Sequence, residues 1–160
     1  MKCTFKHAIL IERKAKGEIQ MDNTAQNHIN HLYKEPLLTE EERSSQTKMI
    51  MRLFELWNIT PMQQAICLGL SIKTRTNINK YKTGKAHLPI YRDIQERIKY
   101  LLIIHKQLRR LFPRNEEIVY SWIRLQNRYF DNLSPLDIIC RDGLLGLVAV
   151  KQYLDNALTI

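Results

Sequence analysis

Cysteine, glycine and proline are all scarce in this chain, with three, five and five among 160 residues. The three thiols, Cys3, Cys67 and Cys140, lie far apart with no CxxC pair, which excludes a disulfide framework and a zinc knuckle. Cys67 and Cys140 read instead as small apolar core residues in a reducing compartment. So few glycines and prolines argue against a turn-rich all-β fold. No run approaches the roughly 20 apolar residues of a membrane span. The opening MKCTFKHAILIERKAKG has neither the long apolar stretch nor the small-residue cleavage site of a secretory signal. The usual catalytic signatures are missing as well: there is no Gly-rich phosphate loop, no HExxH and no paired His and Cys. Asp137 and Asp142, five residues apart, do not share a helix face. His28 and His31 form an HxxH pair without a third ligand in reach. The expectation is a cytoplasmic, non-enzymatic protein that needs no cofactor and no metal.

Positive charge is abundant, and it is concentrated. The chain carries a formal net charge of +9, and residues 69–112 alone hold eleven Lys/Arg against two Asp/Glu. The flanking windows are close to neutral. Such a cationic window is the footprint of a phosphate-binding face, because each phosphate contact releases condensed counterions.

Helical periodicity accounts for most of the remainder, and an all-α fold follows. Tyr91–Phe112, YRDIQERIKYLLIIHKQLRRLF, repeats apolar residues at Ile94, Ile98, Leu101, Leu108 and Phe112, with Leu102, Ile103, Ile104 and Leu111 widening the face. Pro113 closes it. This helix is a spine between a basic segment before it and a near-neutral one after it. His105 lies on its apolar seam, where a hydrogen-bonded core histidine is expected.

Three divisions result. Residues 1–38 read as a poorly ordered extension with at most one short helix ending at Pro36, and Met21 is a possible alternative start. Residues 39–112 begin with Thr39 and Glu42, an S/T-x-x-E capping box opening a helix whose apolar face runs through Met49, Ile50, Leu53, Phe54, Leu56 and Trp57. Thr60, Pro61 and Gln63 repeat the signal for a short second helix. Ala65, four residues before Gly69, then gives the close approach and left-handed turn of a helix-turn-helix.

The helix after that turn should anchor through Ile78 and Tyr81 and present donors elsewhere. Lys73, Arg75, Lys80, Lys82 and Lys85 suit phosphates and guanine edges, Asn77 and Asn79 suit adenine, and the methyls of Thr74 and Thr76 suit thymine. Arg75 occupies the position, six after the turn glycine, where a minimal helix-turn-helix has an apolar residue, so about three extra residues are expected in the turn.

Residues 113–160 complete the chain. Asn115 caps a helix with Glu116 and Glu117 in its first turn and Ile118, Val119, Trp122, Ile123 and Phe130 on its buried side. Ser134 and Pro135 start another helix that Gly143 ends, and Leu144–Leu158 is the last. Trp122 reads first as core and second as an interface anchor. Arg124, Asn127 and Arg128, on its polar side, are better interface candidates.

On these residues the chain resembles a family. ITPMQQAICLGLSIKTRTNINKYKTGKAHLP is similar to the DNA-binding half of the Xre-type antitoxins, with its Cro/repressor-like helix-turn-helix. LLIIHKQLRRLFPRNEEIVYSWIRLQNRYFDNLSPLDIICRDGLLGLVAVKQYLD resembles the same family's toxin-binding domain. The resemblance implies an antitoxin that blocks a RES-domain, NAD-consuming toxin and represses its own operon, so the partners are that toxin and operator DNA. It also implies a toxin face that includes Ser134, Pro135, Asp137, Arg141 and Gly143 beside Trp122, Arg124, Asn127 and Arg128. The wide apolar face and two-half-site logic point to a homodimer. Two other readings remain at this stage: a stand-alone repressor whose C-terminal helices dimerise or bind another regulator, and an adaptor that never binds DNA specifically.

Overall fold

The computed structural model describes residues 38–71 and 75–159, the side chains of Arg75 and Thr76 excepted. The N-terminal extension, with its HxxH pair and its possible helix, lies outside the described residues. The described residues contain seven α-helices and no strand: α1 Glu40–Leu56, α2 Pro61–Cys67, α3 Arg75–Lys82, α4 Arg92–Leu111, α5 Glu116–Ser121, α6 Pro135–Asp142 and α7 Leu144–Leu158. Two single 3₁₀ turns, Trp122–Arg124 and Arg128–Phe130, lie between α5 and α6.

Local chemistry sets the boundaries of the first three helices. Thr39 caps α1 reciprocally with Glu42, and Thr60 caps α2 reciprocally with Gln63, both as the capping-box pattern requires. Each of α1, α2 and α3 ends on one residue in the left-handed region, Asn58, Gly69 and Gly84 respectively. At α2 the Gly69 N–H donates to the Ile66 carbonyl at 2.9 Å and the Leu70 N–H to the Ala65 carbonyl at 2.8 Å. Those two bonds form a Schellman closure, which satisfies carbonyls the helix leaves over and points the chain toward α3.

One apolar cluster joins these helices to the others. Phe54, Trp57, Leu68, Ile78, Leu88, Ile98, Leu101, Leu108, Ile123, Ile139, Leu147 and Val150 are all buried in it. Helix α4 packs along α7, α7 packs on α6, and α2 reaches α6, so the helix-turn-helix and the C-terminal helices share a contiguous interior. The link into α4 is fixed on α1: the Leu88 N–H donates to Thr47 Oγ1 at 3.0 Å, and Arg43 donates to the Leu88 carbonyl. No helix among the described residues is long and apolar enough to cross a membrane.

The structure departs from the sequence expectations in several places, among them Met49, expected on the apolar face of α1 but exposed. The helix opened by Asn115 does not run to Phe130; it stops at Ser121, tightens into a 3₁₀ turn, and Leu125 is extended. Beyond the break Asn127 opens a separate turn, its Oδ1 accepting from the Tyr129 N–H at 2.9 Å. His105 also differs: it is half-buried and stacked on Tyr120 with ring centroids 5.7 Å apart, and its buried Nδ1 has no hydrogen-bond partner.

That environment makes a pH prediction. Burial, with the nearby Arg109 charge, lowers the His105 pKa from its ordinary 6.5. The folded state therefore binds fewer protons than the unfolded chain just below that value, and stability is lost as pH falls from 6.5 toward the folded pKa. Melting curves from pH 7.5 to 5 should show this decline, and His105→Gln should flatten it; equal slopes in both proteins would contradict the assignment.

Candidate functional site

Two surfaces were anticipated, and the structure positions each differently. On the basic side, Ile78 and Tyr81 are buried as expected and hold α3 on α1 and α2. Asn79, Lys80 and Lys85 are exposed, and Asn77 is half-buried. Lys73 and Thr74 lie outside the described residues, as do the side chains of Arg75 and Thr76. Lys82 is exposed but engaged, its Nζ 3.0 Å from Glu55, which also meets Arg52 at 3.2 Å. Hydrogen bonds from Lys82 and then Arg52 hold the Glu55 carboxyl below the ordinary range. Lys82 is thus partly neutralised within the protein, whereas Lys80 has no ion pair among the described residues.

The C-terminal candidates separate into side chains that build the surface and side chains that present it. Ser134 is buried and caps α6 in a box with Asp137, its Oγ donating to Asp137 Oδ2 at 2.6 Å, and Pro135 is buried behind it. Asn127 opens the turn Arg128–Phe130 as its N-cap. Arg141 is exposed, bound to Asp142 through two 2.8 Å contacts, and Gly143 supplies the α6–α7 bend at φ 61°. Arg124 and Arg128 are exposed and carry no ion pair among the described residues. Trp122 is neither fully core nor free; it stacks on Tyr153 at 5.9 Å, with an interplanar angle of 22°.

Sequence reading passed over two features. One is the ring cluster of Trp122, Tyr129, Phe130 and Tyr153, whose members meet at centroid distances of 4.8 to 5.9 Å. The available signal was compositional, in the stretch WIRLQNRYF, where two arginines lie between one aromatic residue and a pair of them.

The other is a junction at Arg97, whose side chain is only 14% exposed and pairs with Asp93 at 3.2 Å. A Cβ at Gly69 would sit 2.6 Å from Arg97 Nε, and one at Gly143 would sit 3.6 Å from the same guanidinium. The glycine of the helix-turn-helix turn and the glycine between α6 and α7 therefore both abut one arginine. Cys140 and Leu144 line the same groove, with Cys67 buried on α2. The neighbouring Cys140 thiol and burial together hold the Cys67 thiol well above its ordinary range. Both thiols are free; Cys67 is buried as expected, whereas Cys140 is only half-buried.

Gly69→Ala should lower stability by about 1–2 kcal/mol, through the left-handed φ and the displaced guanidinium together. In the Gly69→Ala/Arg97→Ala pair the two losses should be less than additive, since the clash is removed. Strict additivity in denaturant unfolding would count against the junction.

No group of three or more metal-ligating side chains occurs among the described residues. What the described residues present is a short helix with Lys80 exposed and Lys82 paired to Glu55, and an aromatic, arginine-flanked loop. Comparison with known proteins bears on the second of these. Residues 107–157 match the family model described as the antitoxin Xre/MbcA/ParS C-terminal toxin-binding domain. An uncharacterized protein, y4oB, of Sinorhizobium fredii (strain NBRC 101917 / NGR234) is 32% identical over 111 residues, spanning 69% of this chain and 82% of its own length. The toxin-binding match contains the ring cluster and the α6–α7 bend, and on this ground the chain belongs to the Xre/MbcA/ParS antitoxin family.

Proposed function

We propose that this antitoxin neutralises a RES-domain, NAD-consuming toxin by covering its active site with the C-terminal helices, and that it represses its own operon through α3. The observation that carries the reading is the pairing of two surfaces in one chain. A helix-turn-helix with Ile78 and Tyr81 buried keeps Asn79, Lys80 and Lys85 exposed, and residues 107–157 carry the toxin-binding match. Exposed Lys and Asn on the helix after the turn are the groups that meet phosphates and adenine edges in the major groove. A homodimer supplies two such helices for two half-sites.

The test has two arms. Co-expression with the RES-domain protein of the neighbouring reading frame should restore growth and give a complex that copurifies. Purified antitoxin should also bind its own promoter DNA with a steep dependence on salt. Operator binding without any toxin complex would instead favour a stand-alone repressor. A toxin complex without specific DNA binding would remove the repressor half.

A further inference from the structure

Large apolar side chains left in solvent mark docking points when they are rigid and clustered. Within residues 107–157 three stand out: Leu125 at 46%, Tyr129 at 65% and Leu145 at 75% exposure. Leu145 opens α7, but Leu125 and Tyr129 belong to one short loop, and that loop is built to hold its shape. The Asn127 N–H donates to the Leu133 carbonyl at 3.1 Å, the Asn132 N–H to the Asn127 carbonyl at 3.0 Å, and the Leu133 N–H to the Phe130 carbonyl at 2.9 Å. Tyr129 rests on Tyr153 at 4.8 Å and meets Phe130 edge-on at 5.1 Å and 88°. Tyr153 is itself stacked with Trp122. Tyr129 is therefore an outward ring supported from behind by two others, and a supported ring loses less freedom when a partner buries it.

The charges around it indicate the partner. Arg124 and Arg128 flank Leu125 and Tyr129 in sequence, both exposed and neither in an ion pair among the described residues. Asp131, the one carboxylate of the loop, lies within electrostatic reach of Arg141. A second copy docked here about a two-fold axis would bring these arginines toward their own counterparts, and like charges across an interface are costly. A partner with carboxylates around an apolar pocket would complement them. Tyr, Trp and Arg are also the residues on which binding energy concentrates.

We infer that Leu125 and Tyr129, backed by Tyr153, are the anchor by which the toxin is held, seated in an apolar pocket whose rim carries carboxylates opposite Arg124 and Arg128. This rests on the antitoxin reading above.

Affinity of the full-length chain for the purified RES-domain protein tests it. If the unaltered chain gives no complex, the antitoxin reading itself fails. Given a complex, Tyr129→Ala and Leu125→Ser should each weaken it by about 30-fold or more, whereas Tyr129→Phe and Leu145→Ala should stay within about threefold. The Arg124→Glu/Arg128→Glu pair should slow association about tenfold and reduce its salt dependence. Unchanged promoter binding by the variants checks that they fold, and Leu125→Ser decides alone if Tyr129→Ala does not. Toxin affinity retained within about threefold in both anchor variants overturns the inference, as does loss of self-association in place of toxin binding.

Discussion

Removing positive charge from the helix-turn-helix is expected to abolish operator binding while leaving toxin neutralisation intact. Lys73, Arg75, Lys80 and Lys82 supply four of the eleven cations in residues 69–112, the window that carries the excess charge of the chain. A residue that neutralises a phosphate contributes close to one unit to the slope of log affinity against log salt. Replacing all four with alanine should flatten that slope by about three rather than four, because Lys82 is already drawn to Glu55. Promoter affinity near physiological salt should fall at least about a hundredfold. Single variants should rank accordingly, with Lys80→Ala costing more than Lys82→Ala. Lys80 and Lys82 belong neither to the buried cluster nor to the ring cluster, and all four residues precede the toxin-binding match at 107–157, so growth rescue and copurification with the toxin should survive. Loss of rescue in the quadruple variant would show that one surface serves both ligands, and the division of labour would then be wrong.

The parts of the fold legible in the sequence were those decided by neighbours a few residues apart. Thr39 with Glu42, Thr60 with Gln63, and Ser134 before Pro135 each announced a helix start that the structure reproduces with the expected hydrogen bonds. The spine was legible for the same reason: Ile94, Ile98, Leu101, Ile104 and Leu108 recur at helical spacing and are all buried. The segment after Ser121 was not. Ile118, Trp122 and Phe130 fit a helical stripe by arithmetic, yet the helix tightens into a 3₁₀ turn at Trp122, Leu125 is extended, and Asn127 opens a separate turn through the Tyr129 N–H. Contacts between distant positions were silent for a different reason. Nothing near Gly69 or Gly143 in the sequence mentions Arg97, and nothing near Tyr129 mentions Tyr153, since these meetings depend on how α4 and α7 are packed. His105 illustrates the limit of pattern alone: its place on the seam was readable, but stacking on Tyr120 replaced the hydrogen bond expected for it.

Adding a single methyl at Gly146 should destabilise the C-terminal helices more than any helix-propensity argument allows. In an exposed helix interior Gly→Ala normally gains about 1 kcal/mol. Gly146 lies inside α7 and is buried, where α7 crosses α6. A Cβ there would fall far inside contact distance of the Ile138 carbonyl oxygen and 2.9 Å from both the Ile138 carbonyl carbon and Ile139 Cα. Those are backbone atoms of a helix fixed by the Ser134–Asp137 box at one end and the Gly143 bend at the other, so they cannot swing aside as the Arg97 side chain can beside Gly69. Helix α7 must move instead, carrying Leu147, Val150 and Leu154 out of the shared core and Tyr153 away from Tyr129. Overpacking of this kind costs about 1–3 kcal/mol, and the bulkier Gly146→Val should cost more. For a unit of this size Gly146→Ala should lower the melting temperature by roughly 5–10 °C. The sign decides between the two effects: a melting temperature equal to or above that of the unaltered chain would mean that α6 and α7 are not in backbone contact at this crossing.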